Sequence, residues 1–239
     1  MFYRFTPLLA FILESFLLFL VLRVRGKQLI HWVFSIFLVA MALWGFLIFG
    51  MRNSSDLEIA AIWERILLPT FGVVTYGFFF FTTLFTRRTL PKATVICVLF
   101  LAALLMAISP THWVLKGMQL RPFGNALLNG PLWFPWIAGM YFPLFVSFYY
   151  LYRFHRTSRS ADDRNRALYL LSGIVSAFLG ATSDYIAAMG LFPHPGGIYG
   201  NILFATLATV AVVRHKLIDV HFYLRRGVAY VLVGIAVVV

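Results

Sequence analysis

Leu29–Gly50 reads LIHWVFSIFLVAMALWGFLIFG, a run of residues without one Asp, Glu, Lys or Arg. A helix needs about 20 mostly apolar residues to cross the hydrocarbon core of a bilayer, so this block reads as a transmembrane helix. Outward from it, blocks of the same kind recur at Thr6–Leu22, Ile66–Phe85, Ala93–Ser109, Leu132–Tyr152, Ala167–Gly190 and Gly197–Val213. A last apolar run starts at Gly227 and is still running at Val239, too short to span. The expected fold class is therefore all-α: a polytopic transmembrane helical bundle with seven complete spans plus the start of an eighth. Composition agrees, with 62% hydrophobic and 12% charged residues, against about 45–50% and 25% in soluble domains. A chain ending inside an apolar run is expected to be a fragment of a longer protein.

Orientation comes from Lys and Arg in the loops. One set of loops holds Arg23, Arg25, Lys27, Arg87, Arg88, Lys92, Arg153, Arg156, Arg159, Arg164, Arg166, Arg214, Lys216, Arg225 and Arg226, fifteen of the 20 basic residues. The other set holds Arg4, Arg52, Arg65, Lys116 and Arg121. The first set is expected in the cytoplasm and the N-terminus outside. The net charge of +12 thus encodes membrane topology, and nucleic acid is excluded as a partner. No small-residue cleavage site follows the first apolar run, so that run reads as a retained helix rather than a signal peptide.

Chemical motifs are few. Phosphate-binding loops, zinc-protease motifs and nucleophile elbows are absent, and the six histidines are scattered without the i, i+4 spacing of a helical metal site. No catalytic residue, metal or cofactor is expected. Cys97 is the single cysteine and reads as a small buried apolar side chain. The outer segments Met51–Arg65 and Thr111–Pro131 read as loops, the first polar and mildly acidic, the second marked by Gly117, Pro122, Gly124 and Gly130. Trp63, Trp113, Trp133 and Trp136 read as an interfacial belt at the outer boundary, and Trp32 as its inner counterpart.

Ionisable residues within the bilayer are costly and are functional candidates by default. Glu14 falls near the middle of the first span and Asp184 in the outer third of the sixth. Trp44 and Asn201 share that outer third on helices two and seven, Tyr141 lies near mid-depth on helix five, and Glu64 sits at the mouth of helix three. Two readings stand side by side. These residues line an outward-open cleft for a small ligand, or they are interhelical hydrogen-bonding groups that need no ligand. Small residues recur on helix six from Ser172 to Ser183, and Gly196 and Gly200 have G-x-x-x-G spacing. They predict close packing of helix six against helix seven, with homodimerisation as the alternative.

Several stretches carry a resemblance: Phe37 to Gly45, Trp63-Glu-Arg-Ile-Leu-Leu-Pro69, Tyr152-Arg-Phe-His-Arg156, Arg166 to Gly173, Gly180-Ala-Thr-Ser-Asp184, Gly200-Asn-Ile-Leu-Phe-Ala, and the closing Val213-Arg-His-Lys-Leu-Ile-Asp219-Val. Together they resemble the N-terminal seven-transmembrane region of bacterial sensor histidine kinases, over nearly the whole chain. The resemblance implies a sensory domain over residues 1–219, followed at 220–239 by a juxtamembrane segment and the start of a further helix. It implies a bacterial inner-membrane location and cytoplasmic kinase or other output domains in cis. Arg214, His215, Lys216 and Asp219 would form the segment that carries the signal out, and the ligand would be a small molecule or lipid. His155 and His215 lack the adjacent acidic residue and proline of a phosphoacceptor helix, so the chain itself is not expected to be an enzyme. The alternatives are a transporter or permease, which intramembrane carboxylates also suit, and a membrane-embedded enzyme, which the scattered histidines disfavour.

Overall fold

The structure is a computed structural model that describes residues 2–23, 27–192 and 194–214. The described residues form seven helices and one two-stranded hairpin: α1 (Phe2–Leu22), α2 (Leu29–Asn53), α3 (Leu57–Phe85), α4 (Lys92–Ile108), β1 (Leu115–Arg121), β2 (Gly124–Asn129), α5 (Trp133–Thr157), α6 (Ala161–Ala188) and α7 (Gly197–Arg214). Five helices are long and apolar enough to cross a membrane, while α4 and Gly197–Val212 of α7 are shorter apolar helices. At 1.5 Å per residue, 25 residues of α2 reach about 38 Å, against about 30 Å of hydrocarbon. The run from Gly227 lies outside the described residues.

Helices α1, α2, α3, α5, α6 and α7 pack in that order around a ring that closes where α7 meets α1, and α4 sits outside it against α3 and α5. Phenylalanines fill the centre of the ring. Phe34 stacks on Phe81 with centroids 4.4 Å apart, and Phe37 meets Phe78 and Phe204 at 5.3 Å each.

Three boundaries move from their expected places. The loop expected at Met51–Arg65 shrinks to Ser54–Asp56, because α2 runs on to Asn53 and α3 begins at Leu57. The Asp56 side chain caps α3, its Oδ1 accepting the Glu58 N–H at 2.8 Å. Glu64 is therefore two turns inside a helix rather than at its mouth. Ser160 caps α6 in the same way, accepting from Asp163, so α6 starts at Ala161 rather than Ala167. The loop expected at Thr111–Pro131 contains the hairpin, with β1 and β2 antiparallel and Arg121 paired to Gly124 across a two-residue turn, Pro122-Phe123.

Burial inside the bundle also corrects the belt. Trp133 and Trp136 are each 1% exposed: the Trp133 ring meets Tyr185 of α6 at 5.0 Å, and the Trp136 indole N–H donates to the Leu105 carbonyl of α4 at 3.0 Å. Trp113 stays 62% exposed and Trp32 52%. Cys97, expected to be buried, is exposed on the outer side of α4, because α4 stands outside the ring.

The α6–α7 seam is close. A Cβ on Gly200 would collide with the backbone of Ser176 and Ala177, and one on Gly180 would lie 2.9 Å from the Gly196 carbonyl. Gly200→Ala should therefore part the two helices at a cost of about 1–3 kcal/mol, read as a lower thermal midpoint in detergent. Gly117→Ala, at a hairpin position with nothing within 4 Å, should leave the midpoint within error.

Candidate functional site

Along α2, Trp44, Ile48, Met51 and Arg52 fall on one face at helical spacing. That face looks toward Glu64 and Leu67 of α3 and toward Ala181, Asp184, Tyr185 and Ala188 of α6. Together with Pro195 and the hairpin residues Phe123, Asn125, Ala126 and Leu127, they enclose a cavity at the hairpin end of the bundle. The room for the centre of a water molecule is about 60 Å³, and one water takes about 10–15 Å³ on that measure. The site thus has room for several waters or a small ligand. Its wall combines two carboxyl groups, one guanidinium and a phenol with an apolar majority, the usual make-up of a small-molecule pocket.

The hairpin roofs this cavity and is pinned at both sides by amide side chains. Asn125 Nδ2 donates to the Met51 and Ser54 carbonyls at the end of α2, at 3.0 and 2.9 Å. Gln119 Nε2 donates to the Ala188 carbonyl at the end of α6, at 3.1 Å. Each bond satisfies carbonyls that the helix ends leave without an intrahelical donor.

Asp184 has a second task. Gly196 opens α7 and has no side chain to cap it, although its carbonyl accepts the first helical bond from Gly200 N–H at 3.2 Å. The cap comes from α6 instead. Asp184 Oδ1 accepts the Gly197 N–H at 2.7 Å, and Ser183 Oγ accepts the Gly196 N–H at 2.9 Å. The Ser183 hydroxyl proton goes to the Gly180 carbonyl at 2.6 Å. An acidic group at a helix N-terminus also faces the positive end of the helix dipole. A Cβ on Gly197 would strike the Asp184 carboxyl, so glycine is required there for the approach.

The structure thus brings Trp44, Glu64 and Asp184 together in one cavity. Trp44 and Ala181 also border a smaller void of about 20 Å³, which Tyr141 and Asn201 line from α5 and α7. Thr182 Oγ1 donates to the Phe178 carbonyl at 2.8 Å, so the Tyr141 hydroxyl is the donor in its 3.3 Å contact with Thr182. Trp44 borders both spaces, and Phe71 stands edge-on to Trp44 at 5.0 Å and to Tyr141 at 5.6 Å. Glu14 lies apart from both. It is fully buried on α1, and neither of its carboxyl oxygens has a hydrogen-bond partner among the described residues. Arg214 ends α7, with only its backbone described, while His215, Lys216 and Asp219 lie outside the described residues.

Sequence reasoning missed Arg52, Tyr185, Ser183 and the hairpin residues. Arg52 carried a usable signal, since it stands eight residues from Trp44 on the same face. Asn125 carried none, because its partners are backbone carbonyls distant in sequence.

The sequence model of the family described as "N-terminal 7TM region of histidine kinase" matches residues 6–238. No curated protein and no solved structure matches the chain.

Asp184→Ala should remove the cap on α7 and cost about 0.5–2 kcal/mol, seen as a lower unfolding midpoint. Asp184→Asn keeps an accepting oxygen and should recover most of the loss. Asn125→Ala should speed backbone amide exchange across residues 115–129 while leaving the exchange of α3 unchanged.

Proposed function

Because the chain belongs to the N-terminal seven-transmembrane regions of histidine kinases, we propose that a small ligand binds in the cavity beneath the hairpin and that its contacts with Asp184 are passed along α7 to cytoplasmic output domains. The family membership makes this a multi-pass membrane region that serves as a sensory module. The finer reading is that the hairpin end faces outward, the N-terminus is outside, and the membrane is the bacterial inner membrane. The gathering of fifteen of the 20 basic residues in the opposite loops supports that direction. Catalysis would belong to the output domains, and this region would act by binding alone.

One observation carries the reading. The residue that borders the cavity, Asp184, is the same residue that holds the first amide of α7. A ligand shifts a conformational equilibrium only through unequal affinity for two states. A donor-rich or cationic group that competes for the Asp184 carboxyl meets that condition, because it binds better when the carboxyl has let α7 go. The apolar rings of Trp44, Phe123 and Tyr185 suit the rest of such a ligand. From α7 the displacement runs into Arg214, His215, Lys216 and Asp219, the proposed output segment.

The transmission step is testable without knowing the ligand. Spin labels at Thr157→Cys on α5 and Val210→Cys on α7, in a Cys97→Ser background in nanodiscs, report the spacing at the basic end. Asp184→Ala should shift that distance distribution, and Asp184→Asn should shift it less. A folded Asp184→Ala protein with an unchanged distribution would contradict transmission through α7.

A further inference from the structure

At the end opposite the hairpin, the α3–α4 connection and the last turns of α5 enclose a second pocket, lined by Thr86, Arg88, Tyr150, Arg153, Phe154 and Thr157. It offers about 220 Å³ on the same measure as the first. Its charge is unbalanced, with two guanidinium groups in its wall and no carboxylate. The salt bridge between Arg166 and Asp163, on α6, involves neither of these guanidiniums. Arg88 lies over the Tyr150 ring at 4.1 Å, and Arg153 reaches the Tyr149 hydroxyl at 3.4 Å. Neither has an anionic partner in the described protein.

The backbone goes to some trouble to place Arg88. Helix α3 ends in a paired reversal in which the Arg87 N–H donates to Leu84 O at 3.1 Å and the Arg88 N–H to Thr83 O at 3.0 Å. The reversal requires a left-handed residue, and that residue is Arg87 at φ 56°, where glycine would be unstrained. The turn throws Arg88 back across α5, onto Tyr150.

The two threonines add a second kind of recognition. The Thr86 hydroxyl donates to Thr82 O at 2.8 Å and the Thr157 hydroxyl to Arg153 O at 2.9 Å. Their protons are spent, and their oxygens retain lone pairs that accept. The pocket therefore presents cationic donors for an anion beside neutral acceptors for a hydroxyl. It lies at the helix ends, next to the exposed Tyr149 and Tyr152, the level at which aromatic and basic side chains meet lipid headgroups.

The geometry points to a binding site for a phosphate diester bearing a hydroxylated substituent, the headgroup chemistry of an anionic glycerophospholipid. Arg88 and Arg153 bind the phosphate oxygens through charge-assisted hydrogen bonds, Thr86 and Thr157 accept from the headgroup hydroxyls, and Tyr150 and Phe154 flank the glycerol. The site is separate from the cavity beneath the hairpin and does not depend on the sensory reading.

Native mass spectrometry of the full chain in nonionic detergent tests this, with phosphatidylglycerol, phosphatidylcholine and inorganic phosphate as separate probes. One phosphatidylglycerol should bind at least about tenfold more tightly than phosphatidylcholine, and Arg88→Gln with Arg153→Gln should remove about that factor. Arg156→Gln, an equal charge change on α5 outside the pocket, should keep the preference. Each single pocket variant should lose part of it, which preserves the test if the double variant melts early. Equal binding of the two lipids, equal loss in Arg156→Gln, or occupancy by inorganic phosphate without phosphatidylglycerol would overturn the assignment.

Discussion

Helix α7 does not cap itself. Gly196 and Gly197 open α7 without side chains, and the free amides of that end are taken by Ser183 and Asp184 of α6. A helix-start amide left without its capping acceptor costs about 0.5–2 kcal/mol, and here α6 supplies the acceptors that α7 lacks. The glycines that leave α7 uncapped also let it approach α6 closely enough to be capped. Contact at Gly180 and Gly200 then extends the seam along both helices, and the ring of helices closes where α7 meets α1.

The cavity follows from the same seam. Asp184 stands one turn from the end of α6, where the chain must turn through Pro195 to enter α7, and helices α2 and α3 cannot fill the space beside it. The hairpin fills it from above, held by Asn125 and Gln119 on the ends of α2 and α6. A roof resting on two helices, above a carboxyl group that grips a third, puts a cavity wall and a helix position in one small volume. At the far end of the bundle the α3–α4 turn and the end of α5 follow a different logic, in which Arg88 and Arg153 have no carboxylate partner among the described residues.

Much of this was legible in the residues. The uninterrupted apolar runs marked the helices, and the small residues of α6 with Gly196 and Gly200 marked their closest packing, because both signals are local and repeat at helical spacing. Trp44, Glu64 and Asp184 stood out because charge and large aromatic groups are rare at membrane depth. The helix ends were read too short wherever polar residues continued a helix beyond the apolar run, as at Leu57–Arg65 and Ala161–Arg166. The hairpin was hidden because Gly117, Pro122, Gly124 and Gly130 are loop signals on their own, and the pairing that overrides them lies between strands. Trp133 and Trp136 are covered by neighbouring helices rather than exposed at a boundary, through Tyr185 of α6 and Leu105 of α4, partners distant in sequence.

The grip of Asp184 on α7 is best tested by residue-resolved amide hydrogen exchange of the chain in nanodiscs. The account predicts that the Gly196 and Gly197 amides of the native protein are protected although they lie at a helix start. Asp184→Ala should release Gly197 and its neighbour Ile198 while the amides of α3 stay protected. Rapid exchange of Gly197 in the native protein, or protection that survives the loss of the Asp184 carboxyl, would contradict it.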